Sequence, residues 1–235
     1  MPTARKMHWT ASEYTAMEAV SPIKHEFLDG EVFAMAGAKP DHNQVASAAL
    51  VALGLLARGG RCRVFNSDQR IFVVETGLYT YADGGVGCGR WEIHADGMCL
   101  LNPTLLFEVR AYRSALGSFV NQPSSAPAAT DQDVLRYVAG GSEDESRRMI
   151  YEGARGDSVS PSTRDYDRGA KLEHYRRIAS LRHVLVIDQP ERCVEHHHRA
   201  DGGVWAVRTV REGALDLHDL GGSIALDEIY LPDAS

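Results

Sequence analysis

The sequence predicts a mixed α/β fold, a central mixed β-sheet flanked by helices and entered through an N-terminal helix and a β-hairpin. Three observations carry this prediction. Residues 40–58 place Ala46, Leu50, Leu53 and Leu56 at helical spacing ahead of Gly59-Gly60. Residues 61–66, 69–75 and 78–88 are strand-like runs. Residues 104–109, TLLFEV, are a continuous apolar run ending in an acid, the pattern of a strand buried on both faces.

The elements follow in order. Residues 8–20 read as a helix, with Thr10 and Glu13 spaced as a capping box. Residues 24–36 read as a hairpin around Asp29-Gly30, a favoured tight-turn pair. Asp41 is the expected N-cap of the long helix, with Gln44 at N3. Glycines 84, 85, 87 and 89 weaken the strand ending at 88. Composition then shifts: residues 110–158 hold the Pro/Ser/Ala-rich NQPSSAPAAT and two thin helix candidates, at 131–139 and 142–152. This segment reads as a partly ordered excursion within one domain spanning 1–235. A helix is expected at about 166–178, with Leu172, Tyr175 and Ile178 on one face. Strands are expected at 183–188, 193–199 and 203–210, then short strands around 214–231.

The composition is ordinary for a globular protein, 44% apolar and 24% charged over 235 residues. No apolar run is long enough for a membrane span, and no apolar segment follows the basic N-terminus, so the expectation is a cytoplasmic protein without a membrane partner. The net charge of -7 counts against tight non-specific DNA binding by the chain as a whole. It leaves room for a small acidic metal site. The cysteines at 62, 88, 99 and 193 form no CxxC pair and read as buried reduced thiols, with disulfide or zinc as lesser alternatives.

Asp83 ends a strand-like run, Glu108 ends the buried apolar strand, and Lys171 lies on the helix after SPSTRDYDRG. Two carboxylates from neighbouring strands suit Mg²⁺ or Mn²⁺, and a lysine beside them can orient water or neutralise developing charge. Each residue also has a bland reading: the acids as turn formers, Lys171 as the ion-pair partner of Asp167 one helical turn away. His196-His197-His198 reads better as a solvated edge strand than as a transition-metal site. His42, at a helix start, reads as a packed, capping or substrate-contacting histidine whose protonation the helix end disfavours. Asp68 reads as a turn acid or a secondary site residue. Residues 164–182 carry six basic and three acidic side chains, either a phosphate-approach strip or a solvated helix face. The glycine run lacks the Gly-Lys-Ser/Thr ending of a P-loop and the full dinucleotide fingerprint, and no nucleophile elbow is present.

The ordered segments HEFLDGEVFAMAG, a His-Asn helix start, GGRCRVFNSD, YTYADGGV, NPTLLFEV and SPSTRDYDRGAKLEHYRRIASLRHVLVID closely resemble the Uma-two family of putative restriction endonucleases, over most of residues 8–109 and 159–231. The resemblance implies a restriction-endonuclease-like PD-(D/E)XK core. It implies that Asp83 and Glu108 bind Mg²⁺ or Mn²⁺, that Lys171 is the catalytic lysine, and that DNA is the substrate. Glu26 matches an acid ahead of the core and is either a supporting residue or a surface acid of the hairpin.

Two departures stand out. The family's proline-aspartate pair appears as Ala82-Asp83, followed by Gly84-Gly85, which are expected to loosen the strand holding the acid. The 49 residues from Arg110 to Ser158 separate Glu108-Val109 from the segment that follows it in the family; without them Glu108 and Lys171 lie fourteen positions apart. The insertion begins beside the backbone carbonyl expected to be a further metal ligand. The expectation is therefore a metal-dependent endonuclease whose site the insertion impairs, with a catalytically inactive nuclease-fold binding or interaction protein as the alternative. A homodimer is left open.

Overall fold

The computed structural model describes residues 8–35, 37–110 and 171–231. The excursion at 111–158, with its two helix candidates, lies outside the described residues, as do Arg164, Arg168 and the start of the 166–178 helix.

Helix α1 (Ala11–Glu18) begins at a Thr10–Glu13 capping box, as its sequence signals. Strands β1 (His25–Leu28) and β2 (Glu31–Ala34) form the expected hairpin. Asp29 and Gly30 both take positive φ, 49° and 81°, as a two-residue turn requires. Helix α2 (Pro40–Leu56) starts two residues earlier than expected: Lys39, not Asp41, is the N-cap and Pro40, with its φ preset, opens the first turn.

Strands β3 (Cys62–Asn66), β4 (Arg70–Val73), β5 (Leu78–Tyr81) and β6 (Gly84–Cys88) follow. The run 78–88, expected as one strand, is two. β5 lies in a five-stranded sheet and β6 in a six-stranded one, so Ala82-Asp83 is the step at which the chain changes sheets. Strand β7 (Cys99–Leu100) pairs in parallel with β4, and β8 (Leu105–Arg110) is the continuous apolar strand. Arg110, counted by sequence as the first inserted residue, belongs to β8, where it pairs in register with Asp188.

After the excursion come helix α3 (Lys171–Tyr175) and strands β9 (His183–Asp188), β10 (Cys193–Arg199), β11 (Trp205–Val210), β12 (Ala214–Leu217) and β13 (Gly222–Ala225). The chain then forms helix α4 (Leu226–Ile229), where sequence suggested a further strand. Leu226 and Ile229 are buried one helical turn apart, which satisfies the apolar pattern equally well.

The six-stranded sheet runs β11-β10-β9-β8-β6-β3 and the five-stranded sheet β2-β1-β5-β4-β7. The larger sheet is mixed, with β8 and β9 parallel and the other neighbours antiparallel. β8 alternates between two cores, which explains its unbroken apolarity. Leu105, Phe107 and Val109 pack with α2 and the C-terminal elements. Leu106 packs with the five-stranded sheet and Tyr175.

Cys62 and Cys88 stand opposite each other on β3 and β6 and form a disulfide, which corrects the reduced-thiol reading for that pair. Cys99 and Cys193 are free and buried. Gly84 and Gly85 are buried within β6, paired on both sides. A Cβ on Gly84 would lie 2.7 Å from the Phe107 ring, and one on Gly85 2.4 Å from the Leu105 carbonyl oxygen. These glycines let neighbouring atoms close onto β6; they do not loosen it.

Candidate functional site

The β6–β8 ladder pairs Gly84 with Phe107, and the next step places Asp83 opposite Glu108. The Asp83 N–H donates to the Phe107 carbonyl at 3.2 Å, and the Val109 N–H donates to Asp83 Oδ2 at 2.7 Å. Two acids 25 positions apart in sequence are thus set side by side by strand register.

Lys171 closes the group from α3. Its Nζ lies 3.1 Å from Glu108 Oε1 and 2.9 Å from Glu26 Oε1, and donates to the Tyr81 carbonyl at 2.8 Å. Glu26, on β1, also accepts the Thr80 hydroxyl. It is a buried residue aimed at Lys171, not a surface acid of the hairpin. Tyr175, one turn after Lys171, donates its hydroxyl to Glu108 Oε1 at 2.7 Å. The insertion therefore does not separate the two sides of the site: all three candidates converge, with Glu26 and Tyr175 as added partners.

Burial pushes the Glu108 carboxyl up to about 7, with Lys171 opposing and Asp83 adding to the rise. Lys171 is desolvated, yet the Glu108 and Glu26 carboxylates hold it charged well above the ordinary lysine range. The Tyr175 hydroxyl is likewise raised by burial and by Glu108, so it stays a donor.

His42, in the first turn of α2, reaches Asp83 Oδ1 with Nε2 at 3.1 Å. Its protonation is favoured, chiefly by that hydrogen bond. The helix-end expectation fails because a carboxylate 41 positions away in sequence outweighs the helix dipole.

Other candidates resolve differently. Asp68 is an exposed turn acid paired with Lys24 at 2.6 Å. β10 is an interior strand between β9 and β11, so His196 and His197 are buried, contrary to the edge-strand reading. His183 Nδ1 and His196 Nε2 are hydrogen-bonded at 2.9 Å, and His183 Nε2 meets Asp219 Oδ1 at 2.7 Å. Burial lowers His183 and takes His196 down to about 4. Within the basic region, Arg176 turns to Glu173 and His197, and Lys171 turns inward to the acids. His94, Asp96 and Cys99 bring ligand atoms within 4.8 Å of one another. The Arg70 guanidinium already bonds Asp96 and Cys99, and burial pushes the Cys99 thiol up to about 12, which disfavours a thiolate ligand.

Sequence reasoning missed Tyr175, Thr80 and the Tyr81 carbonyl as parts of the site. Tyr175 carried a signal, its i+4 spacing from Lys171. A backbone carbonyl carries none.

Residues 11–116 match the family model of Uma2, described as "Putative restriction endonuclease". The chain is 24% identical over 230 residues to the uncharacterised protein slr1290 of Synechocystis, covering 97% of this chain and 95% of that one. It is 24% identical over 197 residues to sll1609 of the same organism, covering 83% and 84%. Its fold is shared with a putative nuclease belonging to DUF820 from Anabaena variabilis, at TM-score 0.50 and 11% identity, over 89% of this chain and 90% of that one. The chain therefore carries the Uma2 family pattern over residues 11–116, on a mixed α/β fold shared with that structure.

Proposed function

We propose that the chain is a metal-dependent endonuclease that hydrolyses DNA phosphodiester bonds, with Asp83 and Glu108 holding Mg²⁺ or Mn²⁺ and Lys171 assisting the attacking water. The observation that carries this is the convergence of Lys171 on Glu108, at 3.1 Å, beside a second carboxylate fixed by strand register. The donor set fits the metal: two carboxylates supply hard oxygens, and a cation would offset the burial that raises Glu108 and the smaller repulsion from Asp83. When bound, the metal polarises a phosphoryl oxygen and lowers the pKa of bound water.

The chain's own residues do the rest. Lys171 is held charged and oriented by Glu26 and the Tyr81 carbonyl, which fixes its ammonium beside the reacting region. Tyr175 fixes the Glu108 rotamer through Oε1. His42 anchors Asp83 and, when protonated, adds a positive charge where a phosphate would approach. The proposal includes a cytoplasmic location with the DNA. Among the described residues no helix is long and apolar enough to cross a membrane.

A second reading has one observation in its favour. Both Asp83 oxygens and Glu108 Oε1 already accept protein hydrogen bonds or ion pairs. A site so satisfied without metal suits an inactive binding or interaction protein. Calorimetric titration with Mn²⁺ separates the two. Heat of binding that disappears in Asp83→Asn supports the enzyme, and no binding at millimolar metal supports the second reading.

A further inference from the structure

An open cavity of about 550 Å³ lies at the far end of β6 from Asp83, lined by Gly60, Arg61, Arg63, Gly89 and Trp91. Arg61 and Arg63 are exposed at the edge strand of the six-stranded sheet, and Arg58 and Arg90 are exposed beside the glycines that flank them. Among the described residues none of these four arginines has an ion-pair partner. That is notable in a chain of net charge -7, where free acids are abundant. An unneutralised basic cluster on an acidic protein is complementary to an anion from outside.

The walls are rigid. The Cys62–Cys88 disulfide ties the two strands beneath the cavity, and the Gly89 N–H donates to the Arg61 carbonyl at 2.9 Å. Asn102 bonds the Arg90 carbonyl at 3.0 Å and the Glu92 N–H at 2.8 Å, which fixes the loop carrying Trp91. The indole meets Phe65 edge-on and sits over Gly87, where a Cβ would lie 2.6 Å from its Nε1. An aromatic plane half-open to solvent beside two free guanidinium groups is the layout of a platform for a base and its flanking phosphates.

We propose that this cavity binds a single-stranded segment of nucleic acid, Trp91 stacking one base and Arg61 and Arg63 contacting the adjoining phosphates. The proposal deepens the nuclease reading and rests on it for the choice of a nucleic acid over another polyanion. Arg63 pairs across the ladder with Gly87, four residues along β6 from Asp83. At about 3.3 Å per residue the cavity and the acid pair are roughly 13 Å apart, about four stacked nucleotides at 3.4 Å each.

The test is fluorescence anisotropy in EDTA, so that nothing is cut. The probes are a labelled single-stranded DNA oligonucleotide and an abasic oligonucleotide of equal length. Arg61→Ala/Arg63→Ala should weaken both about tenfold and make the salt slope shallower by about 1.4. Trp91→Ala should weaken only the base-bearing probe, by about tenfold, and Trp91→Tyr should restore it. Equal affinity of the wild type and the arginine pair variant for both probes overturns the proposal, as does polyglutamate competing as well as unlabelled oligonucleotide. The two readings fail separately. Loss of binding in these variants of a protein that never cleaves DNA leaves this inference standing and sinks the nuclease. Undiminished binding and cleavage in the variants does the reverse.

Discussion

Asp83 and Glu108 face each other one step beyond the last pair of the β6–β8 ladder, and the Val109 N–H holds Asp83 Oδ2 at 2.7 Å. The spacing of the two acids is therefore a property of the sheet and not of flexible loops. Sites placed on strands keep their geometry best, and the predictions below depend on that.

Lys171 Nζ lies 3.1 Å from Glu108 Oε1, so its charge would compete with a metal ion for that carboxylate. Lys171→Ala should lower the cleavage rate by about a hundredfold to a thousandfold, the usual cost of losing one group that stabilises developing charge. Metal affinity in the same variant should hold or rise, because a competing cation is gone. Single-turnover kinetics with calorimetry on one preparation checks both halves.

The proton on Glu108 sets a pH window. Its folded pKa is raised to about 7, so the folded state keeps a proton that the unfolded chain releases near its ordinary value of 4.5. This group therefore lowers the stability of the metal-free protein as pH rises from about 4.5 to about 7. Metal must displace that proton, so Mn²⁺ affinity should rise by up to about tenfold per pH unit in the lower part of this window, flatten as pH nears about 7 and level off above it. Titration in two buffers of different ionisation heat should show proton release below pH 7 and none above, on the pKa of about 7.

The buried histidines act with the opposite sign. His196, at about 4, and His183, also lowered, are neutral in the folded state and take up protons near 6.5 when unfolded. Their stabilisation is present above about 6.5 and is lost as pH falls through about 4. Denaturant midpoints measured over that range should fall on acidification, and His196→Gln should flatten the fall.

Gly85→Ala tests the role of the glycine strand. Its Cβ would sit 2.4 Å from the Leu105 carbonyl oxygen, which is backbone and cannot rotate away. The expected loss is about 1–3 kcal/mol, read as a lower denaturant midpoint at unchanged slope. A neutral or stabilising outcome would mean that the strand is as loose as glycine content alone suggests.

These results divide along a physical line. Local chemistry was legible: Thr10–Glu13 fixed α1, Asp29-Gly30 fixed the hairpin, and TLLFEV marked the strand that carries Glu108. The family resemblance singled out Asp83, Glu108 and Lys171 from segments on either side of the excursion, despite the departure at Ala82-Asp83, and the three side chains do converge. Features set by partners far along the chain were not legible. The break at Ala82-Asp83 follows from a bond to Phe107, and the charge preference of His42 from an acid 41 positions away. The Cys62–Cys88 bond follows from strand register, and the burial of His196 and His197 from β10 having a neighbour on each side.

Cleavage of supercoiled plasmid by the wild type and by Asp83→Asn, with Mg²⁺, Mn²⁺ or EDTA, tests the acidic site most directly. Nicking by the wild type in either metal is expected, with none in EDTA. Asp83→Asn should lose at least about a hundredfold, since even groups that only support a metal ligand cost 10–100-fold when removed. Metal-dependent cleavage that is unchanged in Asp83→Asn would contradict the assignment of Asp83 and Glu108 as the metal site.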